Sequence, residues 1–392
     1  MNNLYYSKPK IILSTLRERN DIPEKYIPKK PQVASFAFLL RKKLIEKYVK
    51  NNEDSLNNFI QNNSWSNINQ DTQLICLHGE LNPDKFLLVI TSKILLTNIL
   101  RQYQACGNTY LYIDATYKLI NNGFSLLTLG VENKSHNFRF VACAISAHEN
   151  TEAYTCFLSK VSEALETQYN LKLQPILMVS DAADCIHNAI EKVFPNCLHI
   201  RCYFHVMKAV KDKINRWKEP NEKSQLKESW GKIHYSISLL HRTKSFQDFR
   251  DLWSLIKVDW EEKIPKTFIE YFDKNYVQNN KKLQWNRMNL IGKNLSNNGL
   301  ERFHEEIKLS FTEKKVLKLN DFLYKCSRLV KDYSIEHNEK FQGEIKLSKE
   351  CWKKALTYLA DPSKGPFLEI IPGLALFVKK KRDIEKLELR IK

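Results

Sequence analysis

The sequence is poor in residues that punctuate or cross-link a chain. Glycine numbers 10 and proline 12 in 392 residues, which excludes collagen-like and linker-rich architectures. No Cys-x-x-Cys pair occurs among the nine cysteines. Several of them fall inside apolar runs, Cys143 in FVACAIS and Cys156 in AYTCFL. They read as buried free thiols of a reducing compartment, not as a disulfide framework. The opening residues MNNLYYSKPK contain no apolar stretch, so no secretory signal is expected. The most apolar window, 86–100, is interrupted by Lys93 and is too short to span a bilayer. A soluble, intracellular protein without a membrane partner is the expectation. No internal repeat is visible.

Acidic charge is also in short supply. Lys and Arg total 62 against 44 Asp and Glu, a net charge of +18. Such a cationic field draws polyanions, nucleic acid foremost, and releases counterions on binding. A lysine-rich solvated surface is the alternative on composition alone. Hydrophobic residues make up 43%, enough for a sizeable core and too many for a disordered chain.

Residues 1–35 carry prolines and charges without a clear period and read as an irregular arm. Residues 36–62 repeat Leu39, Leu40, Leu44 and Tyr48 at helical spacing. KFLLVIT at 85–91 reads as a strand and 92–103 as a short helix. YLYIDATYKLI, FSLLTLGVEN and FRFVACAISA then read as three antiparallel strands, with Asn-Gly in NNG at 121–123 signalling a tight hairpin turn. A helix follows, with Asn150 or Thr151 as its cap and Tyr154, Phe157, Leu158, Val161 and Leu165 as its stripe. PILMVSD at 175–181 has the unbroken apolar run of a buried parallel strand. AADCIHNAIEKVF is helical, and CLHIRCYFH at 197–205 is a further strand running into a helix. A meander followed by alternating strands and helices predicts a mixed sheet covered on both faces. Residues 206–290 read as helical and rich in Trp, Lys and Glu; 297–310 and 318–341 are helix candidates.

Three carboxylates stand out. Asp114 interrupts an apolar strand, Asp181 ends another, and Glu301 lies in SNNGLERFHEEIK. A lone carboxylate in a packed sheet is expelled or brings a counterion. Acids at neighbouring strand ends suit Mg²⁺, which takes oxygen ligands and bridges to phosphates. Other readings stay open: Asp114 paired with Lys118, Asp181 at the positive end of the next helix, Glu301 as a solvated helix residue. Glu301 and Glu305 lie four apart on one helix face and repel; a cation relieves that, and so do Lys308 and Arg302. Cys197, His199, Cys202 and His205 crowd together, but strand alternation sets 197 and 199 opposite 202, which is awkward for tetrahedral zinc.

Four ordered stretches resemble the Mutator-like element (MULE) transposases: LYIDATYKLINNGFSLLTLGVE, SAHENTEAYTCFL, MVSDAADCIHNAIEKVFPNCLHIRCYFHVMKAV and SNNGLERFHEEIK. Together they span about 110 to 310. The resemblance implies an α/β fold: a ribonuclease H-like mixed sheet flanked by helices, with an all-helical insertion and helical N- and C-terminal regions. It implies a DDE triad of Asp114, Asp181 and Glu301 as catalytic residues and ligands of two Mg²⁺ or Mn²⁺ ions, with Cys202 and His205 as the Cys-x-x-His structural motif. The implied activity is metal-dependent DNA cleavage at transposon ends followed by strand transfer to target DNA by a homo-oligomer. The alternative is a domesticated DNA-binding or regulatory descendant that no longer cuts. The corresponding division is 1–105, an N-terminal arm and helical or mixed region that is a candidate for DNA binding; 106–215, the first part of the core; 216–290, the insertion; 291–345, core completion with the third acid; and 346–392, a basic tail. Ala115 stands where the family often has Gly, and no Cys/His finger is visible at either end. KKKR at 379–382 reads as a nuclear import signal or as a solvated basic run.

Overall fold

Period-two alternation builds the centre of the protein. In the computed structural model, which describes residues 26–133, 136–278, 284–286, 296–339, 367–371 and 374–377 together with 13, 16 and 23, seven strands form one sheet: β1 (Ile75–Glu80), β2 (Leu87–Thr91), β3 (Tyr110–Thr116), β4 (Ser125–Glu132), β5 (Phe138–Ser146), β6 (Leu177–Ser180) and β7 (Leu198–Arg201). Their order is β1-β2-β5-β4-β3-β6-β7. The first five are mutually antiparallel; β6 runs parallel to β3, and β7 parallel to β6.

Alternate residues of β3 serve two cores. Tyr110 and Tyr112 pack with α1 (Lys30–Asn62), α10 (Asn298–Glu306) and α11 (Leu319–Glu339), through Ile45, Val49, Leu300, Phe303, Leu323 and Val330. Leu111 and Ile113 pack with α3 (Thr151–Tyr169) and α4 (Asp184–Val193), through Tyr154, Phe157, Leu158, Ile186 and Ile190. The helix α2 (Lys93–Cys106) is capped by Ser92, whose Oγ accepts the Leu95 N–H at 3.1 Å. The α3 cap is Asn150, accepting from Ala153 N at 2.9 Å.

Helices α5 (Tyr203–Asn215), α6 (Pro220–Glu228), α7 (Trp230–His241), α8 (Phe246–Glu261) and α9 (Lys266–Phe272) follow without an intervening strand. They enclose a third core around Trp253, Trp260, Phe268, Phe272 and Trp285. The indole N–H groups there are satisfied: Trp260 donates to Ser236 Oγ at 3.0 Å and Trp253 to Asp273 Oδ1 at 2.9 Å. These tryptophans are core residues of the helical segment. Within residues 343–392, β8 (Phe367–Ile371) and β9 (Leu374–Phe377) pair antiparallel. KKKR at 379–382 lies outside the described residues.

Three local readings of the sequence are corrected. Strand β1 was not legible: only its first two residues are buried and a register irregularity falls between Cys76 and His78, so it shows neither alternation nor an apolar run. Strand β3 stops at Thr116 instead of running to 120, and no tight hairpin forms. Lys118, Asn122 and Gly123 adopt positive φ. Ile120 bridges to Leu317, and Asn121 N donates to Leu317 O at 2.7 Å; this long-range pairing overrides the local turn. The arm also ends earlier than residue 35. Helix α1 begins at Lys30 with Pro31 in its first turn, and Lys29 N–H donates to Gln32 Oε1 at 2.7 Å.

Candidate metal centre

Parity places Asp114 on the same face as Tyr110 and Tyr112, the face covered by α10. The parallel register pairs Tyr112 with Val179; continued by two residues, it brings Asp114 level with Asp181. Asp181 leaves the end of β6 with its Oδ1 accepting Ala183 N–H at 3.0 Å, a turn that leads into α4. Adjacent strands are about 4.8 Å apart, so two strand-end carboxylates become neighbours.

Four residues dock α10 against the sheet and its surroundings. Gly299 allows the approach, since a Cβ there would lie 2.8 Å from Phe138 Cβ. Phe303 stacks on Phe140 with ring centroids 4.9 Å apart. His304 Nε2 lies 3.1 Å from Thr128 Oγ1, and Thr128 is the cross-strand partner of Asp114. The buried Asn297 donates from Nδ2 to Ile113 O at 3.2 Å and from its backbone N to Cys202 Sγ, also 3.2 Å. Glu301, one turn into α10, is thereby held over the end of β3.

The donors converge. One ligand atom each from Asp114, His205 and Glu301 lies within 4.8 Å of the other two, and His205 Nε2 is 3.4 Å from Glu301 Oε1. His205 sits in the first turn of α5, directly after β7. Asp181 lines the same cleft of about 1080 Å³, as do Glu149, Arg41, Lys118, Lys208 and Lys308. The structure thus groups Asp114 and Glu301 tightly with His205, and sets Asp181 alongside. Cys202 and His205 part company: the Cys202 thiol is buried against Asn297 while the His205 ring joins the acids. His199 is engaged by Ser180 Oγ at 2.6 Å and His187 Nδ1 at 3.1 Å. Among the described residues no cysteine joins a group of converging donors.

Burial pushes the Asp114 carboxyl up to about 8; the Ala115 N–H opposes this, while Asp181, Glu301 and Glu149 add to it. Burial also raises Glu301, with Lys208 and Lys308 opposing, and raises Glu149 against the hydroxyl of Tyr154, which donates to it at 2.8 Å. His205 is held below the usual histidine value by burial, with Asp181 opposing and Lys208 and Arg201 reinforcing. Its ring is therefore neutral near pH 7, and its buried Nδ1 has no hydrogen-bond partner among the described residues. Among the described residues no lysine or arginine forms a salt bridge to Asp114. Crowded carboxylates that form no salt bridge to lysine or arginine among the described residues, beside a neutral imidazole, fit a divalent metal, and the oxygen-rich donor set suits Mg²⁺ or Mn²⁺.

His205 is the group whose place in the cluster sequence reasoning did not foresee, although the Cys-x-x-His spacing singled it out. Glu149 was missed too; its only signal is an acid between a strand end and the Asn150 cap.

A seven-stranded mixed sheet with acids gathered at the ends of β3 and β6 defines an α/β protein with an acidic cleft. Comparison with protein families sharpens that: residues 110–209 match the MULE transposase domain. The resemblance in the sequence is thus supported by a domain that carries Asp114, Asp181, Cys202 and His205; Glu301 lies beyond the matched segment. No curated protein matches the chain. Among the described residues no helix is long and apolar enough to cross a membrane.

Proposed function

We propose that the protein is a DDE-type transposase that cleaves DNA at element ends and joins them to target DNA. Its core would be a ribonuclease H-like sheet, a reading supported by the antiparallel meander continued by two parallel strands. Asp114, Asp181 and Glu301 would hold two Mg²⁺ or Mn²⁺ ions, with His205 in reach of the site that Asp114 and Glu301 share. The observation that carries the proposal is the convergence of Asp114, His205 and Glu301 inside a cleft that Asp181 also lines, in a chain with a MULE transposase domain.

When bound, the cations supply Lewis acidity and align the attacking and leaving oxygens of an in-line displacement. The protein's own residues do the rest. Lys208, Lys308, Arg41 and Lys118, all lining the cleft, bind the phosphate backbone, which needs cations of fixed position. The apolar β3 core and α10 keep Asp114 away from bulk water, which strengthens its interaction with a cation. His205, neutral and next to Glu301, offers a lone pair or takes a proton at Nε2. DNA is the partner in this reading, with a homo-oligomer acting on it, and the nucleus is the compartment in a eukaryotic cell.

The test is nicking of supercoiled plasmid in Mg²⁺ or Mn²⁺. Asp181→Asn is expected to abolish nicking while DNA binding and the melting temperature persist. Undiminished nicking by this variant would remove Asp181 from the catalytic set. A protein that binds DNA but never nicks it would match the domesticated, regulatory alternative.

A further inference from the structure

A second cavity, of about 720 Å³, lies between α5, from Tyr203 to Lys211, and the length of α7, from Trp230 to His241. It is within the size range of pockets that hold small organic groups. Its wall includes Tyr203, Phe204 and Trp230. Lys208, Lys211 and Arg242 also line it, and among the described residues no acidic side chain does. Phe204 and Lys208 line the acidic cleft as well, so the two spaces adjoin. Ser296 and Asn298, on either side of the Asn297 anchor, close the near end.

The floor is stiff. Tyr203 stacks on the buried His241 with centroids 4.1 Å apart, and His241 Nδ1 lies 2.7 Å from Trp285 O in the helical core. Lys211 Nζ stands 5.7 Å from the Trp230 ring, so an ammonium and an aromatic surface are presented together. Phe204 keeps 41% of its surface exposed. Phe204 and the half-buried indole of Trp230 thus leave aromatic faces accessible at the cavity. Flat aromatic faces combined with cations are what an unpaired nucleotide requires: the rings stack on the base, and the ammonium groups meet its phosphate.

We propose that this cavity is a nucleobase pocket that takes one unstacked base from the DNA strand next to the phosphate held in the acidic cleft. The position beside that phosphate rests on the DNA-cleavage reading above; the base-binding property does not. Duplex DNA cannot present a base face, so the pocket selects a frayed or extruded nucleotide, and the strand passes from the pocket over Phe204 and Lys208 to the acids.

The full chain is titrated in EDTA with a duplex bearing a single-stranded extension that contains 2-aminopurine, and with the same extension carrying an abasic spacer at that position. The expected result is quenching of 2-aminopurine on binding, and about 5- to 150-fold weaker binding of the abasic strand. Trp230→Ala should reproduce the abasic loss and Trp230→Phe should restore most of the quenching. Equal affinity for the two strands, or unquenched 2-aminopurine, overturns the pocket. The abasic comparison uses the unaltered protein, so it stands even if Trp230→Ala fails to fold. Protein that quenches in EDTA yet never nicks plasmid in Mn²⁺ overturns the cleavage reading alone; protein that nicks without quenching overturns the pocket alone.

Discussion

Asn297 reaches from the cap of α10 to the carbonyl of Ile113, 3.2 Å away, the residue immediately before Asp114. One side-chain amide therefore ties the helix carrying Glu301 to the strand carrying Asp114. Asn297→Ala removes that tie in a dry setting and leaves the Ile113 carbonyl without this donor. A cost of about 1–3 kcal/mol is expected, read as a lower denaturant midpoint. Plasmid nicking should fall by more than stability alone explains, because Glu301 loses its register over Asp114. Unchanged nicking at a temperature where the variant is fully folded would show that the tie does not position the acid.

Gly299→Ala tests the same docking from the other side. The added Cβ meets Phe138 Cβ at 2.8 Å, and the Phe138 backbone Cα lies 3.7 Å away, so the helix itself must move. Overpacking of this kind costs about 1–3 kcal/mol. The expected signature is a weakened Mn²⁺-induced rise in melting temperature, measured by calorimetry. A rise equal to that of the parent would mean that α10 yields without disturbing Glu301.

Cation binding should be coupled to one proton at Asp114. Its carboxyl is held up to about 8, against an ordinary value of 3.8. The folded metal-free protein therefore keeps a proton that the unfolded chain releases. That proton's contribution to stability is complete below 3.8 and is lost as pH rises through 8, with a slope of at most about 1.4 kcal/mol per pH unit. A divalent cation must displace the proton, so the melting-temperature gain in Mn²⁺ should be larger at pH 8.5 than at pH 6.5. Asp114→Asn should flatten both trends; calorimetry across that range, with and without Mn²⁺, decides.

Two buried histidines act in the opposite direction at acid pH. His199 is pushed down to about 3 by burial, with His187 adding to the effect, and His304 to about 3 by burial, with Lys308 adding. Both are neutral in the fold and protonate near 6.5 when unfolded. Their stabilising contribution is full above 6.5 and is lost as pH falls from there toward 3. His199→Gln should reduce the acid sensitivity of urea unfolding between pH 6.5 and 4.5 relative to the parent. An unaltered pH slope would mean that His199 is not neutral in the fold.

The sheet was largely legible because β3, β4, β5 and β6 alternate or run apolar over their whole lengths, and their helices carry clean stripes and caps. What escaped was set by contacts between distant residues. The loop after Thr116 obeys Leu317, not its own Asn-Gly pair, and β1 is an edge strand whose burial fades along its length. Within the site, the parity of β3 exposed Asp114, and the terminal acid of PILMVSD exposed Asp181. His205 remained obscure because its direction follows from where α5 starts relative to α10, and no local pattern encodes that. Glu149 was hidden by its neighbour Asn150, whose capping role explained the stretch without it.

Glu301 is supplied by the segment that returns to the sheet only after all five helices from α5 to α9 have been traversed. A chain still emerging from the ribosome, or one truncated anywhere before α10, carries Asp114 and Asp181 but lacks the third carboxylate. Order of synthesis therefore delays the cluster: Asp114 and His205 stay without their third donor until α10 has been made.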